Sequence, residues 1–363
     1  MTVTSKVSTR NWGIDLLRLV SMLFVVILHM LRHNGFLKLP SDTSQYAAAW
    51  FLEIMAMCAV DIFAIVSGYV TYRDTPRKFK FSSYVNLWLQ VTFYTVILMI
   101  IGHFAYPEVL PTKRIFLAFF PVSTNQYWYF TAYTALFFIM PILDAGLRAI
   151  SVESARRIFL AFLVAFIAIP QFSDSIGIGT GYNFAWLAIL YIAGAIMKKA
   201  NIGANVKAPV SALAILLLTA GTWGLKVTGI LGTPQYAAFP IFLSAIFWIL
   251  LFSRLNFSSV WVRFIKWAAP TSFSIYILNM HPAVMYTLYN RFSISGFADS
   301  PAVIVVLVVL GASLAFVIAV VLVDRLRMRL FTLLHVPQAT KRIESVAERI
   351  VTGVSAKLSP RDS

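Results

Sequence analysis

The stretch DLLRLVSMLFVVILHM, residues 15–30, reads as a membrane span that carries ionisable side chains. It belongs to an apolar run over approximately 12–31, and roughly 20 helical residues cross a bilayer core of about 30 Å. Asp15, Arg18 and His29 lie in or beside this apolar run, and an ionisable group that faces lipid there is costly. These side chains need a protein-lined or water-filled environment, so the stretch predicts a polytopic membrane fold built around it.

The composition of the whole chain supports that fold. Of 363 residues, 60% are hydrophobic and only 12% are charged, which leaves too few polar side chains to cover a soluble globule of this length. The apolar stretches long enough to be spans run approximately over 12–31, 47–71, 83–104, 127–147, 157–173, 183–199, 208–228, 236–253, 270–289 and 302–324. We therefore predict an all-α integral membrane protein with about ten transmembrane helices.

The positions of the basic residues predict the topology. The net charge is +16, carried by thirty Lys and Arg residues. If the N-terminus is cytoplasmic, twenty-three of them fall in cytoplasmic segments and six in outside loops, as the positive-inside rule requires. The pattern predicts a multi-pass protein of the cell membrane with both termini in the cytoplasm, and it explains the basic balance without a nucleic-acid partner.

One membrane domain is expected over residues 1–335, because no internal repeat, low-complexity linker or soluble domain interrupts it. Residues 336–363 are expected to form a cytoplasmic tail. Apolar residues recur there at helical spacing among charges: Ile343, Val346, Ile350 and Val354. This pattern is typical of an amphipathic helix on the membrane face, ending in a disordered polar tip. A tail disordered throughout is the alternative.

Arg18 and His29 face the same side of the first helix. Eleven residues turn a helix back to within about 20° of its starting direction while it rises roughly 16 Å. Asp15 and His33 lie within about 60° of that direction, so the helix carries a polar stripe along its length. Two alternatives stay open. Arg18 could extend to the interface or pair with Asp15, and His29 could be a neutral side chain that bonds a neighbouring helix.

The second span, FLEIMAMCAVDIFAIVSGYVTYRD at residues 51–74, adds Glu53 and Asp61. Asp61 shares one helical face with Gly68, seven residues later. A carboxylate there is expected to be hydrogen-bonded, to His29 or Arg18 among others, or else protonated. The alternatives are that Asp61 only joins two helices and that Ser67 and Gly68 form a small-residue packing site.

These motifs resemble the membrane acyltransferase family 3, whose members include O-acetyltransferases of surface polysaccharides. The resemblance starts from RLVSMLFVVILH at 18–29, preceded by GIDLLR and followed by VDIFAIVSGY at 60–69. Weaker matches are QYWYFTAYTALFFIMPIL at 126–143, WLAILYIAGAIMKK at 186–199 and SFSIYILNMHP at 272–282. Together they extend over nearly the whole chain.

The resemblance implies an acyl donor, most often acetyl-CoA on the cytoplasmic side, as a co-substrate, with no metal and no bound cofactor. It implies as acceptor a hydroxyl of a cell-surface or exported polysaccharide, or of its lipid-linked precursor. The lipid bilayer and polysaccharide-assembly proteins would be further partners. A transporter or flippase of a polysaccharide or a lipid-linked sugar, without acyl-transfer activity, would also need a polar cavity, but the paired, interrupted helices of many transporters are not evident here. A structural subunit of a glycan-assembly complex is a third alternative.

On this hypothesis the polar stripe divides by role. Arg18, with Asp15, is expected to hold the phosphate-bearing donor, because a guanidinium suits phosphate oxygens. A neutral imidazole suits proton removal, so His29 is assigned as the general base. Asp61 is a possible orienting partner of His29, and Ser67 or a backbone N–H is a possible oxyanion donor. Direct transfer and an acyl-enzyme relay both remain open.

The acceptor is expected to lie near the outer end of the first helix, against His33, Glu53, Trp128 and Tyr129. For the two aromatic residues an interfacial belt is the alternative.

In the late helix, relatives often read Ile-Tyr-Leu-Ile-His, whereas here Asn279 occupies the place of that histidine. His281 comes two residues later, about 200° around the helix, and cannot simply replace it. The roles of Tyr276, Asn279 and His281 are therefore left open.

Overall fold

The computed structural model describes residues 10–76, 80–168 and 178–358, and the regular structure within those ranges is helical, without strands. The α-helices are α1 Trp12–His33, α2 Ser44–Ala56, α3 Ala59–Thr71, α4 Phe81–Ala105, α5 Thr112–Leu117, α6 Trp128–Ala149, α7 Val152–Ala168, α8 Phe184–Lys199, α9 Ala208–Val227, α10 Phe239–Ser253, α11 Ser259–Ala268, α12 Ser272–Asn279, α13 Pro282–Tyr286, α14 Ala302–Leu333 and α15 Val336–Leu358. The predicted all-α membrane class is confirmed.

Six helical segments in the described ranges are long and apolar enough to cross a bilayer: Trp12–His33, Ser44–Thr71, Phe81–Ala105, Trp128–Ala149, Ala208–Val227 and Ala302–Leu333. α8 and α10 have 16 and 15 residues and fall short of a full span. The predicted span 157–173 extends beyond the described residues. The count of ten spans and the cytoplasmic location of both termini therefore stay predictions.

α1 is the central helix of the bundle. It packs against α2, α3, α10, α12 and α14, and Leu17, Val26 and Leu31 on it are fully buried. The outermost spanning helices, α9 and α14, expose leucine and isoleucine side chains along most of their length, as expected for helices that face lipid. A polar stripe on α1 can therefore face protein on every side, which removes the cost of exposing it to hydrocarbon.

Polar side chains cap several of these helices. Asn11 accepts a hydrogen bond from the Ile14 amide at 3.2 Å and starts α1, while Thr43 does the same for α2. Asn183 accepts from the Trp186 amide at 2.9 Å and starts α8. These caps fix where each helix begins, and thus which residues reach the interior.

Two predicted spans are interrupted. The segment predicted over 47–71 breaks at Met57 and Cys58 into α2 and α3, and no Pro or Gly in the sequence signals this break. The segment predicted over 270–289 breaks after Asn279, because Pro282 lacks an amide proton and disfavours helical backbone in the residue before it. Both breaks bring backbone and side chains from short helices toward the C-terminal half of α1.

α15 is an amphipathic helix that docks against α4. The Thr340 hydroxyl donates to Asn86 Oδ1 at 3.2 Å, and the Ser82 amide donates to the Glu344 carboxylate at 3.3 Å. This bond lowers the pKa of Glu344. Ile343, Val346 and Ile350 are exposed, as the sequence pattern predicts for a helix at a membrane surface. The polar tip predicted after it, 359–363, lies outside the described residues.

Candidate active site

Two cavities lie along α1, one near each end. The cavity near the N-terminal end has a volume of 360 Å³ and includes Arg18 in its lining. The cavity near the C-terminal end has a volume of 260 Å³ and includes His29. The predicted stripe thus faces the interior, with its two principal residues in separate cavities. We call these the Arg18 cavity and the His29 cavity.

The Arg18 cavity is strongly basic. Its charged lining residues are four cations, Arg10, Arg18, Arg73 and Lys198, and one carboxylate, Asp15. Such a lining attracts anions and raises their local concentration.

Within this cavity Asp15 pairs with Arg10 and not with Arg18. The Arg10 Nε to Asp15 Oδ2 distance is 2.5 Å. Arg18 Nε is buried and has no hydrogen-bond partner among the described residues. A buried guanidinium nitrogen without a partner is costly, so the arrangement leaves Arg18 available to a ligand that enters the cavity. Pairing of Arg18 with Asp15, the alternative that the sequence left open, does not occur here.

His29 is held by Asn279. The imidazole Nδ1 is hydrogen-bonded to Asn279 Oδ1, across 250 residues of sequence. Because an amide oxygen only accepts hydrogen bonds, Nδ1 carries the proton, and Nε2 keeps its lone pair. This is the tautomer that a general base requires. Asn279, whose role the sequence left open, is therefore the hydrogen-bond partner of His29.

The C-terminal end of α1 adds cationic and aromatic groups to the His29 cavity. Arg32 lines it and forms an ion pair of 3.3 Å with the fully buried Glu53. His33 also lines it, and its ring stacks on Tyr289 with 4.5 Å between centroids. Glu53 itself is not among the lining residues. Glu53 is connected to the cavity through its ion pair with Arg32.

Aromatic rings form one wall of the His29 cavity. Trp128 lies 4.9 Å from Tyr182, and Tyr182 lies 4.7 Å from Tyr236, measured between ring centroids. All three line the cavity, as do Tyr129 and Tyr276. The Tyr276 hydroxyl oxygen accepts a hydrogen bond from the Tyr129 amide at 3.2 Å, so its own proton remains available to donate. Rings arranged in this way can stack on a flat or apolar face of a substrate.

Asp61 lies away from His29. It is fully buried, and Trp186 on α8 donates to its Oδ1 at 3.0 Å. Neither cavity includes it. The expected contact with His29 or Arg18 does not form among the described residues, because position 61 faces α8. This geometry favours the alternative in which Asp61 joins two helices.

Ser67 and Gly68 also lie in the contact between α3 and α8. The Ser67 hydroxyl donates to the Phe63 carbonyl at 2.9 Å, within its own helix, and Ser67 lines neither cavity. A Cβ added to Gly68 would lie 1.9 Å from the Tyr191 carbonyl oxygen, and one added to Gly194 would lie 1.9 Å from the Ile65 carbonyl oxygen. Here the two backbones touch, which favours the small-residue packing alternative. An oxyanion role for Ser67 finds no support in this position.

His281 is a structural residue. It is fully buried, its Nδ1 accepts from the Ala283 amide at 3.2 Å, and its Nε2 is hydrogen-bonded to the Thr95 carbonyl at 3.2 Å. It therefore caps α13 and ties it to α4, outside the His29 cavity.

Several residues of the site were not found from the sequence. Arg32 follows His29 by three residues and shares its side of α1, so helical periodicity could have placed it there. Tyr182 and Tyr236 precede α8 and α10 in irregular segments, where periodicity gives no direction. Phe63, which also lines the cavity, looked like any other apolar residue of its span.

The fold is that of an all-helical membrane protein with two cavities along α1, one basic and one lined by His29 and aromatic rings. The model of an acyltransferase domain, that of acyltransferase family 3, matches residues 11–323. The chain belongs to this family and is a membrane acyltransferase. Searches of curated proteins and of solved structures gave no match.

Proposed function

We propose that this protein transfers an acyl group, most often acetyl, from acyl-CoA to a sugar hydroxyl of a surface or exported polysaccharide or of its lipid-linked precursor. The observation that carries the proposal is the pair of cavities along α1, one basic around Arg18 and one around a histidine of fixed tautomer. In the predicted topology the first opens to the cytoplasm, where acyl-CoA is made, and the second to the outer side.

The donor binds in the Arg18 cavity. Phosphate oxygens pair with Arg18 and with the neighbouring Arg73 and Lys198. The arm that carries the thioester then extends along α1, over a rise of roughly 16 Å between Arg18 and His29. This length is comparable to that of the extended arm of coenzyme A, so charge recognition and chemistry occur at separate places.

In the transfer step the acceptor sugar stacks on the aromatic wall. His29 Nε2 removes the proton of the attacking hydroxyl, whose oxygen forms a bond to the thioester carbonyl carbon. The carbon–sulfur bond breaks, and coenzyme A leaves as a thiolate that takes up a proton. The Tyr276 hydroxyl, whose oxygen is fixed by the Tyr129 amide, donates to the carbonyl oxygen as negative charge develops there.

The decisive experiment uses acetyl-CoA labelled in its acetyl group. Membranes that contain the protein are incubated with it, and label is measured on cell-surface glycan. Incorporation that depends on the protein supports the proposal. Normal glycan export without any label would instead favour the transporter alternative, and mass analysis of glycan from a deletion strain would identify the acylated sugar.

Arg18→Lys is expected to raise the KM for acetyl-CoA at least about tenfold, because an ammonium group cannot reproduce the planar fork of a guanidinium. The KM for the acceptor should change much less. Initial rates with each substrate varied in turn measure both values. Arg157→Lys is the matched control, since Arg157 is exposed, pairs with Glu153 of its own helix and lines neither cavity. An unchanged KM for acetyl-CoA would remove Arg18 from the donor site.

Asn279→Leu is expected to lower kcat roughly 10- to 100-fold, since positioned proton transfer contributes about 10²–10⁴-fold in all. The KM for acetyl-CoA should stay the same, because the donor phosphates bind elsewhere. Asn279→His supplies a ring nitrogen that can accept the His29 Nδ1–H bond, so this variant is expected to keep more activity than Asn279→Leu. Asn290→Leu, at an exposed site, serves as control. Equal activity of Asn279→Leu and wild type would show that the imidazole needs no orientation.

A further inference from the structure

Phe63 lies between the two cavities. Its ring lines the His29 cavity. The guanidinium carbon of Arg18, which lines the other cavity, lies 6.0 Å from the centroid of the same ring. A single side chain thus borders the His29 cavity and contacts the cation of the Arg18 cavity.

Two further rings extend this barrier. The ring of Tyr129, on α6, packs edge-on against Phe63 with 5.8 Å between ring centroids. The ring of Phe273, at the start of α12, stacks on Phe63 with 6.2 Å between centroids. All three rings line the His29 cavity. We call Phe63, Tyr129 and Phe273 the aromatic partition. Its three rings come from α3, α6 and α12, and Phe63 connects them to Arg18.

We infer that the aromatic partition keeps the donor and acceptor cavities separate, and that Phe63 is the residue whose ring moves aside when the acyl arm passes. The inference rests on the proposed function. Phe63 is suited to this because its ring contacts Arg18, the proposed donor-binding cation, and lines the His29 cavity at once.

The chemical purpose of such a partition is to exclude water from the thioester. In the competing reaction, water replaces the sugar: its oxygen forms the bond to the acyl carbon, the carbon–sulfur bond breaks, and acetate and coenzyme A are released. Closing a site against water is a general means of preventing such side reactions. Phe63 thus determines how much donor is transferred and how much is hydrolysed.

The first test measures accessibility and needs no enzymatic activity. In a Cys58→Ser, His29→Cys background, the introduced thiol reports on the His29 cavity; Cys58 is the only natural cysteine. A membrane-impermeant anionic methanethiosulfonate reagent, which the basic Arg18 cavity attracts, is applied from either face of sealed membrane vesicles. With Phe63 present we expect labelling from one face only. Adding Phe63→Ala is expected to raise the labelling rate from the other face at least tenfold.

Phe24→Ala is the matched control, because Phe24 is equally buried but packs on Trp248 and lines neither cavity. It should leave labelling one-sided. Phe63→Leu removes less volume, and we expect an intermediate rate if the alanine variant fails to fold. Labelling from both faces with Phe63 in place, or an unchanged rate in both Phe63 variants, would overturn the inference.

The second test measures release of coenzyme A from acetyl-CoA by purified protein without acceptor. Phe63→Ala is expected to increase this release severalfold and to lower transfer to the acceptor. Phe24→Ala is expected to change neither the release nor the transfer. If no variant consumes acetyl-CoA, the proposed function fails, whereas the labelling result still decides whether the partition exists. If transfer occurs normally but Phe63→Ala neither leaks nor admits the reagent, only the partition is wrong.

Discussion

Replacement of His29 by alanine is expected to abolish acyl transfer while the protein still inserts and folds. His29 is the only histidine that combines a place in the cavity with a fixed Nε2 lone pair among the described residues. Positioned proton transfer contributes about 10²–10⁴-fold, and an alanine leaves the attacking hydroxyl without an acceptor for its proton. Labelled acetyl on glycan should therefore fall by roughly 10³-fold.

A matched control comes from another histidine. His103 on α4 bonds the Leu110 carbonyl and lines neither cavity, so His103→Ala should keep its activity. Both variants should elute as wild type in size-exclusion chromatography, because removing the imidazole leaves the buried Asn279 oxygen without this donor at a cost of about 1–3 kcal/mol, less than the stability of a typical folded domain. Full activity of His29→Ala would end its assignment as base. Acetyl trapped on the protein would instead favour an acyl-enzyme relay.

The polar stripe of α1 could be predicted because it depends only on helix geometry. Eleven residues turn the helix so that His29 lies on the same face as Arg18. An ionisable group in a span has to avoid lipid. Asp15 and Arg18 do share one cavity, and His29 and His33 share the other. What periodicity could not predict is the aromatic partition that we infer between them, since its rings come from α3, α6 and α12.

Partners across helices were harder to predict for the same reason. Helical periodicity predicts that Asp61 and Gly68 share a face of the helix, and both do face α8. There Trp186 donates to Asp61, and the Tyr191 carbonyl lies against Gly68. Periodicity says nothing about which neighbour covers that face, so the expected contact with His29 was wrong. Asn279, 250 residues from His29 in sequence, holds the position that Asp61 was expected to have.

Helix breaks limited the prediction further. Pro282 signals the end of α12, but the break between α2 and α3 follows no Pro or Gly. The Tyr182 and Tyr236 rings reach the site from irregular segments, where neither a period of 3.6 nor a period of 2 applies. Their direction is set by tertiary packing alone.

Gly68→Ala is expected to destabilise the fold clearly. The added Cβ would lie 1.9 Å from the Tyr191 carbonyl oxygen, and a backbone atom cannot turn away as a flexible side chain can. α3 and α8 would have to separate, which would also stretch the bond between Asp61 and Trp186 that joins them. Overpacking of this kind costs about 1–3 kcal/mol and occasionally more, so thermal unfolding in detergent should shift to clearly lower temperature.

Gly221→Ala provides the control for that experiment, because Gly221 lies on α9 with no neighbouring heavy atom within 4 Å of an added Cβ. There the change should be neutral or stabilising by up to about 1 kcal/mol, since alanine favours helix over glycine. The two substitutions add the same methyl group to two membrane helices, and they differ only in what that group meets. Equal melting temperatures for both variants would mean that α3 and α8 do not touch at Gly68, and the fixed position of Asp61 would lose its physical basis.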